Sequence, residues 1–306
     1  MNTVVNQYTL LKYIKMRLII VFFITSFCYS QNHVIVDSKT KEPIAYANIK
    51  FIKEDGGRYS NDKGVFKIKN NIKDSIQISC LGFSSITREV SNLKDTIFLV
   101  PDVQKIKEVV IQSGKSKLKK IGFKKSNLNW FGSANIQLGL LIKPTKENEN
   151  THINSILIPV KNKHSNINKD KIDKNFNSII KMSVFSVKND LPHEILVEAP
   201  ITIKCNQNTG NIIEVDISNE YVQLEPTGVF VCIEMVGEVS NGVIINQLNF
   251  LPALKFTNKK TKDFTFFKSF VKPKTSNSWH EFDYKKMGLD KQIFLALKLM
   301  LSTYKE

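Results

Sequence analysis

The sequence predicts an all-β protein made of two successive β-sandwich domains. Its apolar segments are short, rich in Val, Ile, Phe and Thr, and separated by Asn, Asp, Gly and Lys. Short alternating runs of this kind are typical of strands, whereas helices need longer runs with helical periodicity. A chain of 306 residues, 42% of them hydrophobic, has enough apolar side chains for one or two packed cores.

The N-terminal residues have the pattern of a secretory signal peptide. Lys12, Lys15 and Arg17 precede an apolar run at 18–24. The run is far shorter than the ~20 residues that a membrane-spanning helix needs, which favours a cleaved signal peptide over a membrane anchor. We therefore expect a signal peptide at 1–30 and an exported mature chain, located in the periplasm, at the outer membrane or at the cell surface.

The cysteines are interpreted in this exported context. Lipidation of Cys28 is an alternative to simple cleavage, but the bulky Phe27 before it is unfavourable for a lipoprotein signal. Cys80, Cys205 and Cys232 lie in strand-like apolar runs, which predicts buried thiols. A disulfide between Cys205 and Cys232 is the alternative, since exported proteins meet oxidising conditions.

The first domain is predicted to span residues 31–112. Its turn signals are Asp55-Gly56-Gly57 and Asn61-Asp62-Lys63-Gly64, in which glycine can take a positive φ. The predicted strands are at 33–37, 47–52, 65–68, 75–80, 96–99 and 108–111, with a further one near Tyr59. This number of strands in so short a segment indicates a small sandwich.

Several motifs of this domain resemble those of a known family. In chain order they are Val36-Asp37, Pro43-Ile44, Ala47-Asn48-Ile49, Asn61-Asp62-x-Gly64-x-Phe66, Ile78-Ser79-x-x-Gly82-Phe83 and Glu108-Val109-Val110. They resemble the carboxypeptidase regulatory-like domain of Bacteroidota envelope proteins. The resemblance implies a transthyretin-like β-sandwich that carries no catalysis itself. His33 departs from the pattern, since the family usually has glycine in the first strand.

The motif residues are interpreted as structural. Gly64 is expected to permit a turn, and Phe66 to fill the core behind it. Gly82-Phe83 is expected to do the same at another corner. Asp37 and Asn48 are expected to hydrogen bond to turn backbone.

A basic linker and a second β-rich domain are predicted to follow. The linker is at 113–127, where lysine, glycine and serine dominate. The second domain is at 128–306, with strands expected at 134–142, 153–160, 180–187, 195–197, 201–205, 212–217, 229–236, 264–270 and 293–301. For the last run we favour a strand over a helix because its leucines alternate. Many strands joined by polar loops favour a jelly-roll-like double-sheet sandwich.

The formal net charge of +16 does not indicate nucleic-acid binding. Arginine, which dominates base and phosphate recognition, occurs only at Arg17, Arg58 and Arg88. The lysines are grouped at 115–125 and at 255–262, both expected to be exposed segments. We expect weak electrostatic contact of these segments with an anionic envelope surface, against the alternative that they only keep the protein soluble.

No catalytic, cofactor-binding or metal site is predicted. A zinc site needs several converging ligands, and the five histidines, His33, His152, His164, His193 and His280, are scattered along the chain. The second domain also contains carboxylates in its strand-like segments, which we interpret as surface groups: Glu194, Glu198, Glu214, Asp216, Glu234 and Glu238. No nucleophile elbow, phosphate loop or dinucleotide fingerprint is present.

The sequence therefore favours a non-catalytic exported module that binds or scaffolds at the cell envelope, with an unidentified envelope protein or glycan as partner. The first alternative is a hydrolase of surface polysaccharide or peptide, which a pocket with two carboxylates would favour. The second is a glycan-binding protein. Aromatic side chains sharing one exposed face would favour it, and the candidates are Trp130, Tyr221, Trp279 and Tyr284.

We predict cleavage between Ser30 and Gln31, because Cys28 and Ser30 provide the small side chains that signal peptidase requires. Intact-mass measurement on protein from the envelope fraction should give a chain that begins at Gln31. A chain that still begins at Met1 or Met16 would contradict this prediction.

Overall fold

A computed structural model describes residues 32–53, 57–68, 72, 74–80, 82–101, 116–130, 132, 134, 136–162, 176–240, 243–245, 251–273, 278–286 and 288–304. The predicted signal peptide and the predicted strand at 108–111 lie outside these ranges. Within them the chain is built of strands with three short 3-10 turns, as the all-β prediction required. No helix in the described ranges is long and apolar enough to cross a bilayer.

The first domain consists of two small sheets. Its strands are β1 (Asn32–Asp37), β2 (Asn48–Phe51), β3 (Gly57–Tyr59), β4 (Val65–Lys67), β5 (Ser75–Ser79), β6 (Ile86–Glu89) and β7 (Thr96–Leu99). One sheet has the order β4-β1-β7 and the other β3-β2-β5-β6. Ile35, Ile49, Ile76, Ile78 and Leu99 are fully buried between them. Strand β6 was not predicted, because its Thr, Arg and Glu side chains are exposed at a sheet edge.

The predicted structural roles of the motif residues are mostly confirmed. Gly64 has φ +70°, and a Cβ there would lie 2.6 Å from the backbone oxygen of Ile35, so a larger residue would be strained. Phe66 is buried in the core. The Asp37 carboxylate accepts a hydrogen bond of 2.6 Å from the backbone N–H of Lys39 in the following turn.

The second domain is a larger sandwich. Its strands are β8 (Ser116–Gly122), β9 (Leu128–Trp130), β10 (Ile136–Pro144), β11 (Thr151–Lys161), β12 (Asn177–Lys188), β13 (Leu191–Ile195), β14 (Ile201–Asn206), β15 (Ile212–Asp216), β16 (Gln223–Leu224), β17 (Val229–Ser240), β18 (Val243–Ile245), β19 (Ala253–Thr257), β20 (Phe264–Lys272), β21 (His280–Glu281), β22 (Phe294–Leu295) and β23 (Lys298–Tyr304). The 3-10 turns of the chain are Val90–Asn92, Lys146–Asn148 and Ser218–Glu220.

Two eight-stranded sheets form this sandwich. We call the sheet with the order β13-β12-β17-β10-β20-β21 the inner sheet and that with the order β22-β19-β11-β23-β8 the outer sheet. Strands β14 and β18 extend the inner sheet, and β9, β15 and β16 extend the outer one. The core between them includes Leu140 and Ile233 from the inner sheet and Ile156 and Leu299 from the outer one. The predicted double-sheet sandwich is therefore confirmed. The closing run is strand rather than helix, as predicted, but it is divided between β22 and β23.

The predicted linker is wrong over much of its length. Residues Ser116–Gly122 form β8, which pairs along its whole length with β23. Ile121 and Phe123 are buried in the core of the second domain. The prediction failed because a strand at the edge of a sheet often carries exposed lysines, as a linker does. The lysines alone therefore do not distinguish the two.

Two other local predictions are corrected. The strand predicted at 195–197 is β13, which ends at Ile195 and has exposed positions on both faces. Lys255, predicted in a loop, lies in β19 between Leu254 and Phe256, both buried. Lys255 was misplaced because it is a polar residue in an otherwise buried strand, and β13 was misplaced because its polar residues are exposed on both faces.

Candidate functional site

The inner sheet is covered on both faces. On β12 and β17, alternate residues such as Met182 and Ile233 enter the sandwich core, as strand geometry requires. The residues between them point away from that core, yet Ile179, Phe230 and Val236 are almost completely buried there as well. The first domain and an aromatic cluster provide this second cover.

A row of four polar residues crosses this outward face of the inner sheet. The strand registers pair Lys181 with Glu234, Glu234 with Gln137, and Gln137 with Lys272. Neighbouring strands are about 4.8 Å apart, so the row alternates cation, anion, amide and cation over four adjacent strands. We call these four residues the floor row.

A second polar row lies on the first domain. Asn48 of β2 pairs with Tyr59 of β3 on one side and with Ser79 of β5 on the other. Their neighbours Ile49 and Ile78 point into the first core, so these three side chains point outward by alternation. We call Tyr59, Asn48 and Ser79 the roof row.

Two hydrogen bonds join the floor row to the first domain. The hydroxyl of Tyr59 donates to the Glu234 carboxylate at 2.5 Å. The ammonium of Lys181 donates to the backbone oxygen of Tyr46, also at 2.5 Å, and Lys181 is only 6% exposed. Burying a charge is costly unless it is hydrogen bonded, so both bonds tie the first domain to the inner sheet.

An apolar cluster lies beside these bonds. Tyr46 and Tyr59 of the first domain pack with Ile179 and Val236 of the inner sheet, and all four are buried. Burial of apolar side chains stabilises an interface in rough proportion to its area. The domain contact therefore combines apolar packing with specific charged hydrogen bonds.

A cavity of about 300 Å³ lies between the two rows. All four floor-row and all three roof-row residues line it, together with Tyr46, Ser183 and Cys232. Its other end is apolar, with Phe185, Pro192 and Trp279 in the lining. The cavity is therefore polar and charged at one end and largely aromatic at the other.

A glycine shapes the aromatic end. A Cβ at Gly139 would lie 2.2 Å from Cζ of Phe230 and 3.1 Å from the ring of Trp279. These rings therefore lie directly over the backbone of β10, with centroids 4.9 Å apart and an interplanar angle of 67°. Such edge-to-face packing is favourable and holds Trp279 at the cavity wall.

Burial controls ionisation around the cavity. It raises the pKa of Tyr59 well above its ordinary value, and the nearby Glu234 carboxylate adds to this effect. Burial likewise raises the pKa of the Cys232 thiol, against a smaller opposing influence of Lys272. Cys232 therefore stays a neutral thiol, which is a poor nucleophile.

The carboxylates named from sequence are not brought together. Glu234 lines the cavity and is half-buried, so its interpretation as a surface group was wrong. Glu194, Glu198, Glu214 and Asp216 are exposed, as predicted, and Glu238 is half-buried outside the cavity lining. Among the described residues of the lining, Glu234 is the one carboxylate, so the lining does not contain the carboxylate pair of a glycosidase.

The candidate sugar-binding aromatics do not share an exposed face. Trp130 and Tyr284 pack against the sandwich core, and Tyr221 is exposed elsewhere, in the turn after Ser218–Glu220. Trp279 alone of the four lines the cavity.

The histidines and cysteines are separated as well. His33 lies in β1, in agreement with the predicted strand at 33–37; it is buried, and its Nδ1 lies 2.9 Å from the Lys94 oxygen. Over the described part of the chain, no three His, Cys, Asp or Glu side chains converge as around a metal ion. Cys205 packs in the sandwich core and Cys232 on the opposite face of the inner sheet. Cys205 and Cys232 are free and buried, as predicted, whereas Cys80 is half-buried and lines the cavity.

Lys181, Gln137 and Lys272 were missed from sequence. A signal was nevertheless present for two residues of the row: Lys181 and Glu234 interrupt runs that are apolar at both odd and even positions. A strand that is apolar on both faces is buried on both, so a single charge within it indicates a buried polar site. Asn48, expected to bond turn backbone, lines the cavity instead.

Comparison with known proteins supports the assignment of the first domain. Residues 34–111 match the family model described as the CarboxypepD_reg-like domain. The predicted resemblance of the first domain to the carboxypeptidase regulatory-like domain is therefore confirmed. The regulatory-like domain makes up about a quarter of the chain, and the second sandwich lies beyond the matched residues. No curated protein matches the chain.

We predict that Tyr59→Phe lowers the free energy of unfolding by roughly 1–2 kcal/mol at neutral pH, because a hydrogen bond to a charged group is lost. Urea unfolding of the full chain measures this value. Tyr221→Phe, at an exposed tyrosine, is the matched control and should change stability by less than about 0.5 kcal/mol.

The same pair tests the raised pKa of Tyr59. A phenol whose pKa is raised on folding adds stability below the unfolded value, about pH 10, and loses it as the pH rises further. The advantage of wild type over Tyr59→Phe should thus shrink by up to ~1.4 kcal/mol per pH unit above pH 10. A difference that stays constant to pH 11.5 contradicts the buried, neutral phenol.

Proposed function

We propose that this chain is an exported, non-catalytic binding module of the cell envelope, in which the regulatory-like domain closes a ligand site on the second sandwich. The observation that carries the proposal is the cavity between the floor row and the roof row, to which both domains contribute polar side chains. Ligand sites are commonly concave, form at domain interfaces, and combine an apolar wall with a few polar groups. The predicted signal peptide supports the envelope location.

A binding role is favoured over hydrolysis by the chemistry of the cavity. Its described lining contains a single carboxylate, which accepts a hydrogen bond from Tyr59. The Cys232 thiol is held neutral by burial. Neither an acid–base pair nor an activated nucleophile is therefore formed by these groups.

The site is tested by thermal unfolding of the full mature chain with a panel of neutral sugars, sugar acids, amino sugars, aromatic acids and amino acids. We expect at least one compound to raise Tm, since a ligand at about 100 times its Kd adds ~2.7 kcal/mol of stability. Ser79→Phe would fill the cavity from its roof and should abolish the shift. Ser84→Phe, at an exposed position of the same domain, is the matched control and should retain it.

Two results would contradict this function. One is a panel in which no compound stabilises the wild-type chain. The other is a compound that stabilises Ser79→Phe as much as wild type, because that ligand must bind elsewhere.

A second role, attachment to an anionic surface, is supported by the arrangement of the lysines. The backbone N–H of Gly122 donates to Asp263 at 2.9 Å, and the side chains of Asn127 and Asn258 are hydrogen bonded. These contacts bring the two lysine-rich segments side by side on the outer sheet. The exposed lysines of this basic patch are Lys120, Lys124, Lys125, Lys259, Lys260 and Lys262. We do not count Lys119 in the basic patch because its ammonium forms an ion pair with Glu147 at 3.0 Å.

Binding to vesicles tests this attachment. Each lysine near an anionic bilayer adds up to ~1 kcal/mol, so changing Lys124, Lys125, Lys259 and Lys260 to Gln should reduce sedimentation with phosphatidylglycerol vesicles at least about tenfold. Lys39, Lys53, Lys63 and Lys67, exposed on the regulatory-like domain, give a control with the same change in charge. Equal loss in both variants, or binding that ignores added salt, would exclude the patch as the contact.

A further inference from the structure

The charged end of the cavity points to the kind of ligand it takes. We propose that the ligand is a small cyclic organic acid, with its carboxylate bound by Lys272 and its ring against Trp279 and Phe185. This inference rests on the function proposed above and specifies the ligand of the same site.

The first argument is charge balance. The described lining has two ammonium groups, on Lys181 and Lys272, and the single carboxylate of Glu234. The described lining therefore has a net charge of +1, which attracts an anionic ligand and repels a cationic one. A ligand with one negative charge restores neutrality, whereas a neutral or cationic ligand does not.

The second argument is the supply of free donors. Lys181 uses one N–H on the Tyr46 oxygen, and an ammonium has three. Glu234 already accepts from Tyr59. Within the described residues Lys272 has no hydrogen bond or ion pair. Lys272 is therefore the ammonium placed to bind a ligand carboxylate, and charge-assisted hydrogen bonds of this kind are the strong ones.

The third argument is the position of the aromatic wall. The register that pairs Val271 with His280 brings Trp279 beside Lys272, one position further along the strands. Lys272 and Trp279 both line the cavity, as does Cys232. A carboxylate on Lys272 would thus leave the attached ring in contact with Trp279, and aromatic faces stack on flat apolar rings.

The size of the cavity suits a small ligand. About 300 Å³ is at the lower end of the range of ligand pockets, about 300–1,000 Å³, which suits one six-membered ring with a carboxylate and a few hydroxyls. The ring is therefore either that of a sugar acid or that of an aromatic acid. Longer chains would extend out of the cavity.

The experiment uses titration calorimetry on the full mature chain to compare ligands that have the same ring but differ in charge. One series is glucuronate, glucose and glucosamine; the other is phenylacetate and phenylacetamide. We expect the acid of at least one series to bind about tenfold more tightly than its neutral counterpart, the factor that ~1.4 kcal/mol provides. The series that binds identifies the sugar acid or the aromatic acid as the source.

Two variants locate the charge that gives this preference. Lys272→Gln should remove the preference for the acid while the fold, checked by Tm, is retained. Lys268→Gln, on the same strand but in an ion pair with Glu281 at 3.0 Å, should keep it. In Trp279→Phe, which retains an aromatic ring, the acid should still bind, but the ligand-induced change in tryptophan fluorescence should be lost.

The outcomes separate this inference from the proposed function. Neutral and acidic compounds that bind equally, with binding lost in Ser79→Phe, leave the cavity as a binding site and overturn the organic-acid ligand. A preference for acids that survives Lys272→Gln overturns it as well. If no compound binds at millimolar concentration, both proposals are refuted.

Discussion

The burial of the inner sheet on both faces is the constraint on which the rest of this structure depends. Strands β12 and β17 are apolar at successive positions, so packing one face in the sandwich leaves Ile179 and Val236 for a second cover. Exposed apolar patches are unfavourable in soluble proteins. The regulatory-like domain provides part of that cover, and the position of the cavity follows from it.

Charged hydrogen bonds give this contact its specificity. Apolar packing alone tolerates small shifts of one sheet over another, because it is not directional. The bonds from Tyr59 to Glu234 and from Lys181 to the Tyr46 oxygen are directional and largely shielded from water. A shift of the domain by one strand spacing would leave the buried Lys181 unpaired, which is costly. These two bonds therefore fix the roof row over the floor row.

Local pattern was sufficient to predict the fold class, the regulatory-like domain and the closing strand. It failed at β8, because the exposed lysines of this edge strand resemble those of a linker. It failed at the site for another reason. Lys181 and Glu234 each stand out as a charge within an apolar run, but which strands are neighbours, and what covers their shared face, depends on contacts between residues distant in sequence. Glu234 could therefore be named from sequence, and its surroundings could not.

The roof row also bears on how such a protein can change over evolutionary time. Tyr59, Asn48 and Ser79 belong to a domain type recognised by its turns and core, yet they point outward to a different sandwich. Recombination that replaced this domain with another of its family would preserve the fold of both parts. It would still fail to match Glu234 unless the incoming copy carried a hydrogen-bond donor at the position of Tyr59. Exchange of whole domains is therefore restricted here by a few outward-facing positions, which must change together with their partners across the boundary.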